Sequence, residues 1–462
     1  MIPLYTRYLT PADYGIIELV ELFVTIAGIC FGLSVVGDSM VRIYHEYTGE
    51  RERGAVVSSA IFIVAALAAS VAILTMILAG PFSALVFSTP KYAWLLRSAF
   101  LALLFSSVTE IALLYQQVRQ RATFFVIFYV CQLLAGAGLN IYFIAFAGRG
   151  VWGFVLSKLV VTGVGAVVLL CIVLRETGFR FHWDSGRRMV RFGGPLMISS
   201  VSIFIIHFSD RFFLNHFRSL ADVGIYALSY KLGFLVTYLV GQPFGNVWNV
   251  TLYAHVDEGR WKEKFARVFA CLVFFLLFVA TGISVFANGM LTLAVSRPYV
   301  AAAALVPVIA LGYAFRETGD FFRGLLFINK RVFLFGRITV CCALLNLALD
   351  WALIRQFGAP GAAWATLLTW FAYMGCCWLL AVREHRLPIS PAGLAALSAA
   401  GGAAYYISTF LRHGSLPAQL AGDGLLMLLF LAYGWKAGYL NFSADALAPV
   451  ALESAAAVVV QE

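Results

Sequence analysis

From residue 14 to residue 439 the chain is a close succession of apolar runs, each about as long as a bilayer's hydrocarbon core is thick. Runs fit at 14–36, 55–80, 93–117, 123–147, 150–174, 193–213, 223–243, 265–290, 300–327, 332–356, 359–382, 391–411 and 417–439. About 20 apolar residues suffice for one transmembrane helix. The runs are too long for barrel strands and lack the period-two alternation of a transmembrane β-barrel. Backbone polar groups in lipid must be satisfied inside each segment, so the expected fold class is an all-α polytopic membrane protein. Composition closes off the soluble alternatives. Of 462 residues 62% are hydrophobic and 12% charged, against about 25% charged in a soluble domain. A soluble enzyme, a disordered chain and a nucleic-acid-binding domain are excluded on that ground.

Residues Met1-Ile2-Pro3-Leu4-Tyr5-Thr6-Arg7-Tyr8-Leu9 are too few to span. They also lack the basic start, long apolar core and cleavage site of a signal peptide. They read as the last turns of a first helix that begins upstream, so fourteen spans are expected, the first truncated here. With the 10–14 turn outside, one set of connections holds 19 Lys and Arg and the opposite set 8. The positive-inside rule puts the richer set, and with it the C-terminus, in the cytoplasm. The net charge of +10 is this loop bias. The eight cysteines all lie in apolar runs with no ligand spacing, so neither a metal nor a cofactor is expected.

The chain repeats itself. Ala12, Asp13, Gly15, Ile16 and Leu19 recur 209 residues later as Ala221, Asp222, Gly224, Ile225 and Leu228. Val41/Val250, Tyr44/Tyr253 and Arg51/Arg260 keep the register. Thr10 and Ser219 stand where N-caps belong, with Asp13 and Asp222 near the positive end of the helix that follows. Six spans separate the copies, so the two have the same topology, related by an axis along the membrane normal. The expected architecture is two pseudo-symmetric six-helix bundles, 1–192 and 193–386, then two additional transmembrane helices and a tail, 387–462. Such halves suit alternating access around a central cavity.

The opening Ile2-Pro3-Leu4-Tyr5-Thr6-Arg7-Tyr8-Leu9-Thr10-Pro11-Ala12-Asp13-Tyr14-Gly15, with Val41-Arg42-Ile43-Tyr44 before the charged stretch 46–53, resembles Wzx-type O-antigen flippases. These are polysaccharide biosynthesis proteins of the multidrug/oligosaccharidyl-lipid/polysaccharide exporter superfamily. The 6+6+2 layout resembles the family too. The resemblance implies movement of a polyprenyl-pyrophosphate-linked oligosaccharide between the leaflets of a bacterial plasma (inner) membrane. Glycan polymerase and chain-length proteins are the partners it implies. The first helix, read here as truncated, departs from the family, so no cavity residue of that helix is carried over by the resemblance.

Six cations stand at least four residues inside a span: Arg97, Lys158, Lys231, Arg316, Arg323 and Arg337. A charge at mid-bilayer costs about 2.5–3.5 kcal/mol on insertion scales, so most should face a watery cavity or an ionic partner. Arg97 and Arg337 lie near span ends. Lys158, Lys231, Arg316 and Arg323 are the substrate-binding candidates, because a basic cavity suits a pyrophosphate. Arg316, Asp320 and Arg323, at i, i+4 and i+7, share one helical face, and two intrahelical ion pairs are expected there. For Glu21, Glu110, Asp320 and Asp350 two readings stand open, ion-pair partnership and H+ or Na+ coupling. In the repeat register Glu21 aligns with Tyr230, next to Lys231, so Glu21 and Lys231 are also candidates for a gate pair.

No phosphate loop, catalytic constellation or metal set emerges, so no enzyme is expected. The main reading is a lipid-linked oligosaccharide flippase. The alternative is a multidrug-type cation-coupled antiporter, which would favour buried carboxylates over a basic interior. A membrane-bound glycan polymerase is disfavoured by the short external loops.

Overall fold

The computed structural model describes residues 2–255, 261–328, 332–384, 388, 390–411 and 415–440. Among them there is no strand. The helices are α1 (Ile2–Tyr8), α2 (Pro11–Cys30), α3 (Leu33–Glu46), α4 (Glu50–Phe87), α5 (Ala93–Val118), α6 (Ala122–Asn140), α7 (Gly150–Thr177) and α8 (Trp183–Phe217), then α9 (Leu220–Gly233), α10 (Gln242–His255), α11 (Trp261–Ala294), α12 (Val306–Ile328), α13 (Val332–Phe357), α14 (Ala359–Glu384), α15 (Pro391–Leu411) and α16 (Leu416–Lys436).

Local chemistry sets the helix starts. Thr10 caps α2 in a reciprocal box: its hydroxyl accepts the Asp13 N–H at 3.2 Å, and the Asp13 carboxylate accepts the Thr10 N–H at 3.1 Å. Ser219 caps α9 through its hydroxyl, which accepts the Asp222 N–H at 3.1 Å and donates to the Asp222 carboxylate at 2.6 Å. Both expected caps are therefore present, 209 residues apart. The first long apolar stretch is not one straight helix. It breaks between α2 and α3 at Gly32, whose φ of 68° is a conformation glycine adopts freely. Gly241, 209 residues on, closes a wide π turn, Thr237–Gly241, before α10.

By length and apolarity, 11 helical stretches among the described residues can cross a membrane. The count reaches 12 if Arg297–Ala304 and Val306–Leu326, bent by 47°, form one span. These match twelve of the thirteen runs read above. The remaining one, 193–213, lies in α8, which is helical throughout; the side chains of 190–199 lie outside the described residues.

Contacts divide the chain into two compact units, Met1–Gly224 and Ile225–Glu462. In the first, α5 packs on α4 and α7; in the second, α12 packs on α11 and α14. These are corresponding helices in the repeat register. The last two helices belong to the second unit: α15 and α16 pack on α11 around Phe274, Leu397, Met427 and Phe430.

Within the first unit the start of α2 crosses the first turn of α9 at backbone contact. A Cβ on Gly15 would overlap the Leu220 carbonyl, and one on Gly224 would overlap the Pro11 carbonyl. Pro11 and Leu220, like Gly15 and Gly224, are 209 residues apart. Each of the two helices thus offers its glycine to a carbonyl of the other, which lets their backbones touch.

Candidate functional site

The densest polar cluster lies in the second unit on α12. Both expected intrahelical pairs form: Arg316 Nη2 lies 3.8 Å from Asp320 Oδ2, and Arg323 Nη1 lies 3.3 Å from Asp320 Oδ1. Neighbouring elements extend them. Tyr373 of α14 donates its hydroxyl to Asp320 at 2.7 Å, and Thr237 of the π turn donates to Glu317 at 2.7 Å. Arg316 Nη1 donates to Glu317 at 3.1 Å, and its guanidinium lies over the Trp370 ring at 5.6 Å. Arg323 lies over Phe335 at 5.3 Å. The strip opens on a cavity of about 210 Å³ whose walls include Thr237, Gln242, Asn246, Arg316, Glu317 and Arg323.

This corrects the expectation of a basic interior at this site. Arg316 and Arg323 are met by Glu317 and Asp320, so the strip is formally neutral. The reason is energetic: two guanidinium groups in a protein interior without counter-charges would carry an uncompensated desolvation penalty. Arg323, the more exposed of the two at 29% against 21%, offers a fork of donors to a cavity that the Gln242 and Asn246 amides also reach. The arrangement suits a ligand that carries both charge and hydroxyl or amide groups.

In the first unit Lys158 of α7 places Nζ 2.6 and 2.7 Å from the two carboxylate oxygens of Glu21 on α2. Two candidates from different lists are thus one pair, about a third exposed. Lys231, exposed on α9, and Glu110, exposed on α5, do not line the α12 cavity. Asp350 of α13 is fully buried. One turn before it, Asn346 Nδ2 donates to Thr369 Oγ1 of α14 at 3.3 Å, both residues buried.

Arg211, two residues from the end of the 193–213 run, is one of the eight basic residues assigned to the outer connections, yet it lies inside α8 at 2% exposure. It pairs with Asp210 at 3.1 Å, lies 3.7 Å from Glu18 of α2, and donates to the His207 carbonyl at 2.9 Å. The apolar residues Phe212, Phe213 and Leu214 after it were the signal that the helix runs on to Phe217.

The family described as "Polysaccharide biosynthesis protein" matches residues 4–304. No curated protein matches the chain. Among solved structures, a lipid II flippase MurJ in an inward closed conformation is similar at TM-score 0.74 and 13% identity, over 94% of this chain and 95% of that one. An inward-facing multidrug resistance MATE transporter of the MOP superfamily is similar at TM-score 0.64 and 15% identity, over 83% and 92%. An outward-facing transporter of the same description follows at TM-score 0.52 and 12% identity, over 83% and 90%.

Proposed function

The chain belongs to the polysaccharide biosynthesis protein family and has the fold of MOP-superfamily transporters, and from that premise we propose that it is a flippase for polyprenyl-pyrophosphate-linked oligosaccharide. It works in the plasma membrane of a bacterium, with its C-terminus in the cytoplasm, moving substrate outward by alternating access for cell-surface polysaccharide such as O-antigen. The observation that supports this reading best is the α12 strip. Two arginines, whose forked guanidinium groups can grip a phosphate through two parallel bonds, share a cavity with the amide residues Gln242 and Asn246 and with aromatic rings that suit a sugar.

Coupling to H+ or Na+ is assigned to Asp350. It is the one wholly buried acid among the four candidates, and it stands one helical turn after Asn346, whose side-chain amide donates to Thr369 Oγ1 at 3.3 Å. Hard cations take carboxylate oxygens.

The test is a strain lacking this gene, examined for polyprenyl-linked oligosaccharide held on the cytoplasmic face. Wild-type protein should clear it. A variant carrying both Arg316→Gln and Arg323→Gln should leave it accumulated at normal protein abundance. Clearance by the doubly neutral variant would remove the phosphate-binding role.

A second reading draws on the same strip. Glu317 and Asp320 make the cavity as acidic as it is basic, which suits a cation-coupled small-molecule antiporter. Drug sensitivity of the deletion strain without glycolipid accumulation would favour it.

A further inference from the structure

The second unit holds two more cavities, which share none of their lining with the α12 strip. One, of about 370 Å³, lies between the first turns of α11 and α15, and its walls include Glu263, Arg267, Ser390 and Tyr439. The other, of about 400 Å³, is apolar and lies among α11, α12, α14 and α15, against Val273, Leu277, Phe315 and Trp378. Phe269 and Leu394 line both, so the polar chamber borders the apolar one. Val273 and Leu277 stand six and ten residues beyond Arg267, about 9–15 Å along the helix. That is the step from headgroup level to acyl chains. The basic-residue count places this end of α11 on the cytoplasmic side.

The polar chamber carries both signs of charge. Arg267 is exposed and has no carboxylate partner among the described residues. Glu263, four residues earlier, faces the same chamber. Ser390 Oγ accepts the Gly393 N–H at 3.2 Å and keeps its own proton to donate. Tyr439 donates its hydroxyl to the Gly393 carbonyl at 3.0 Å, fixing that wall.

We propose that the two cavities form one binding site for a glycerophospholipid with a primary-amine headgroup, drawn from the cytoplasmic leaflet. Its phosphate meets Arg267 and the Ser390 hydroxyl, its ammonium meets Glu263, and an acyl chain fills the apolar cavity. The neutral sum of Arg267 and Glu263 matches a zwitterion; an anionic phospholipid would set its charge against Glu263.

Native mass spectrometry of the full chain in detergent tests this, with dioleoyl phosphatidylethanolamine, phosphatidylcholine and phosphatidylglycerol added in equal amounts. Wild-type protein should retain one phosphatidylethanolamine, with either competitor held about tenfold less. Arg267→Gln should lower that retention about tenfold, and Glu263→Gln should erase the preference over phosphatidylcholine. Val273→Trp and Ser398→Phe, which fill the apolar cavity from opposite walls, should each abolish retention, so one well-folded variant suffices. Equal retention of the amine and choline lipids by wild-type protein would overturn the proposal, as would unchanged retention in a folded cavity-filling variant. Displacement by equimolar polyprenyl phosphate would assign the cavities to the substrate's tail and overturn it too.

Discussion

Arginine plays two different parts in this protein, and exposure separates them. Arg211 is enclosed by Asp210, Glu18 and the His207 carbonyl, whereas Arg323 opens on a cavity. Removing one member of a buried ionic cluster costs about 3–5 kcal/mol, because the remaining charges lose their compensation. Arg211→Gln should therefore deplete folded protein from the membrane, and immunoblots of membrane fractions should show the loss. Arg323→Gln should leave abundance near normal while export falls. Equal abundance of both variants would mean that Arg211 has no structural role. Sequence alone revealed the α12 strip because its spacing is local: positions i, i+4 and i+7 must share a face. It did not reveal Thr237 and Tyr373, which reach the strip from 80 and 53 positions away. Nor did it show that Lys158 and Glu21, read as separate candidates 137 residues apart, are one pair.

At the level of elements, the clearest feature is the crossing of α2 with the first turn of α9. Gly15 and Gly224 each face a carbonyl, so any side chain forces the helices apart. Overpacking of this kind typically costs about 1–3 kcal/mol. Gly15→Ala and Gly224→Ala should each lower the melting temperature of the purified protein. Their effects should not add, because the separation forced by one methyl makes room for the other. Additive losses would show that the two sites yield independently. The repeat register identified the equivalent residues and both capped helix starts. Which equivalents touch depends on helix rotation, and a periodicity blurred by apolar residues on every face does not report that. The break at Gly32 was hidden for a related reason, since its flanks are as apolar as a continuous span.

For the molecule as a whole, hydropathy carried most of the argument, since lipid demands that each crossing segment close its own hydrogen bonds. Orientation rests on the uneven distribution of basic residues, and labelling tests it. In a cysteine-free background, Arg218→Cys should react with a membrane-impermeant reagent added from outside. Asp184→Cys, also exposed, should react only after lysis; the reverse pattern would invert the topology. Hydropathy did not foretell the charge balance around the cavity, because an overall +10 says nothing about which acids lie beside which bases. That balance has an electrical consequence. A charge carried through the membrane potential gains or loses about 2.3 kcal/mol per 100 mV. Arg316, Glu317, Asp320 and Arg323 sum formally to zero, so in the proposed cycle these four side chains add no net charge to the empty return step. The electrical work falls on the cargo and on the Asp350 carboxylate with its coupling ion.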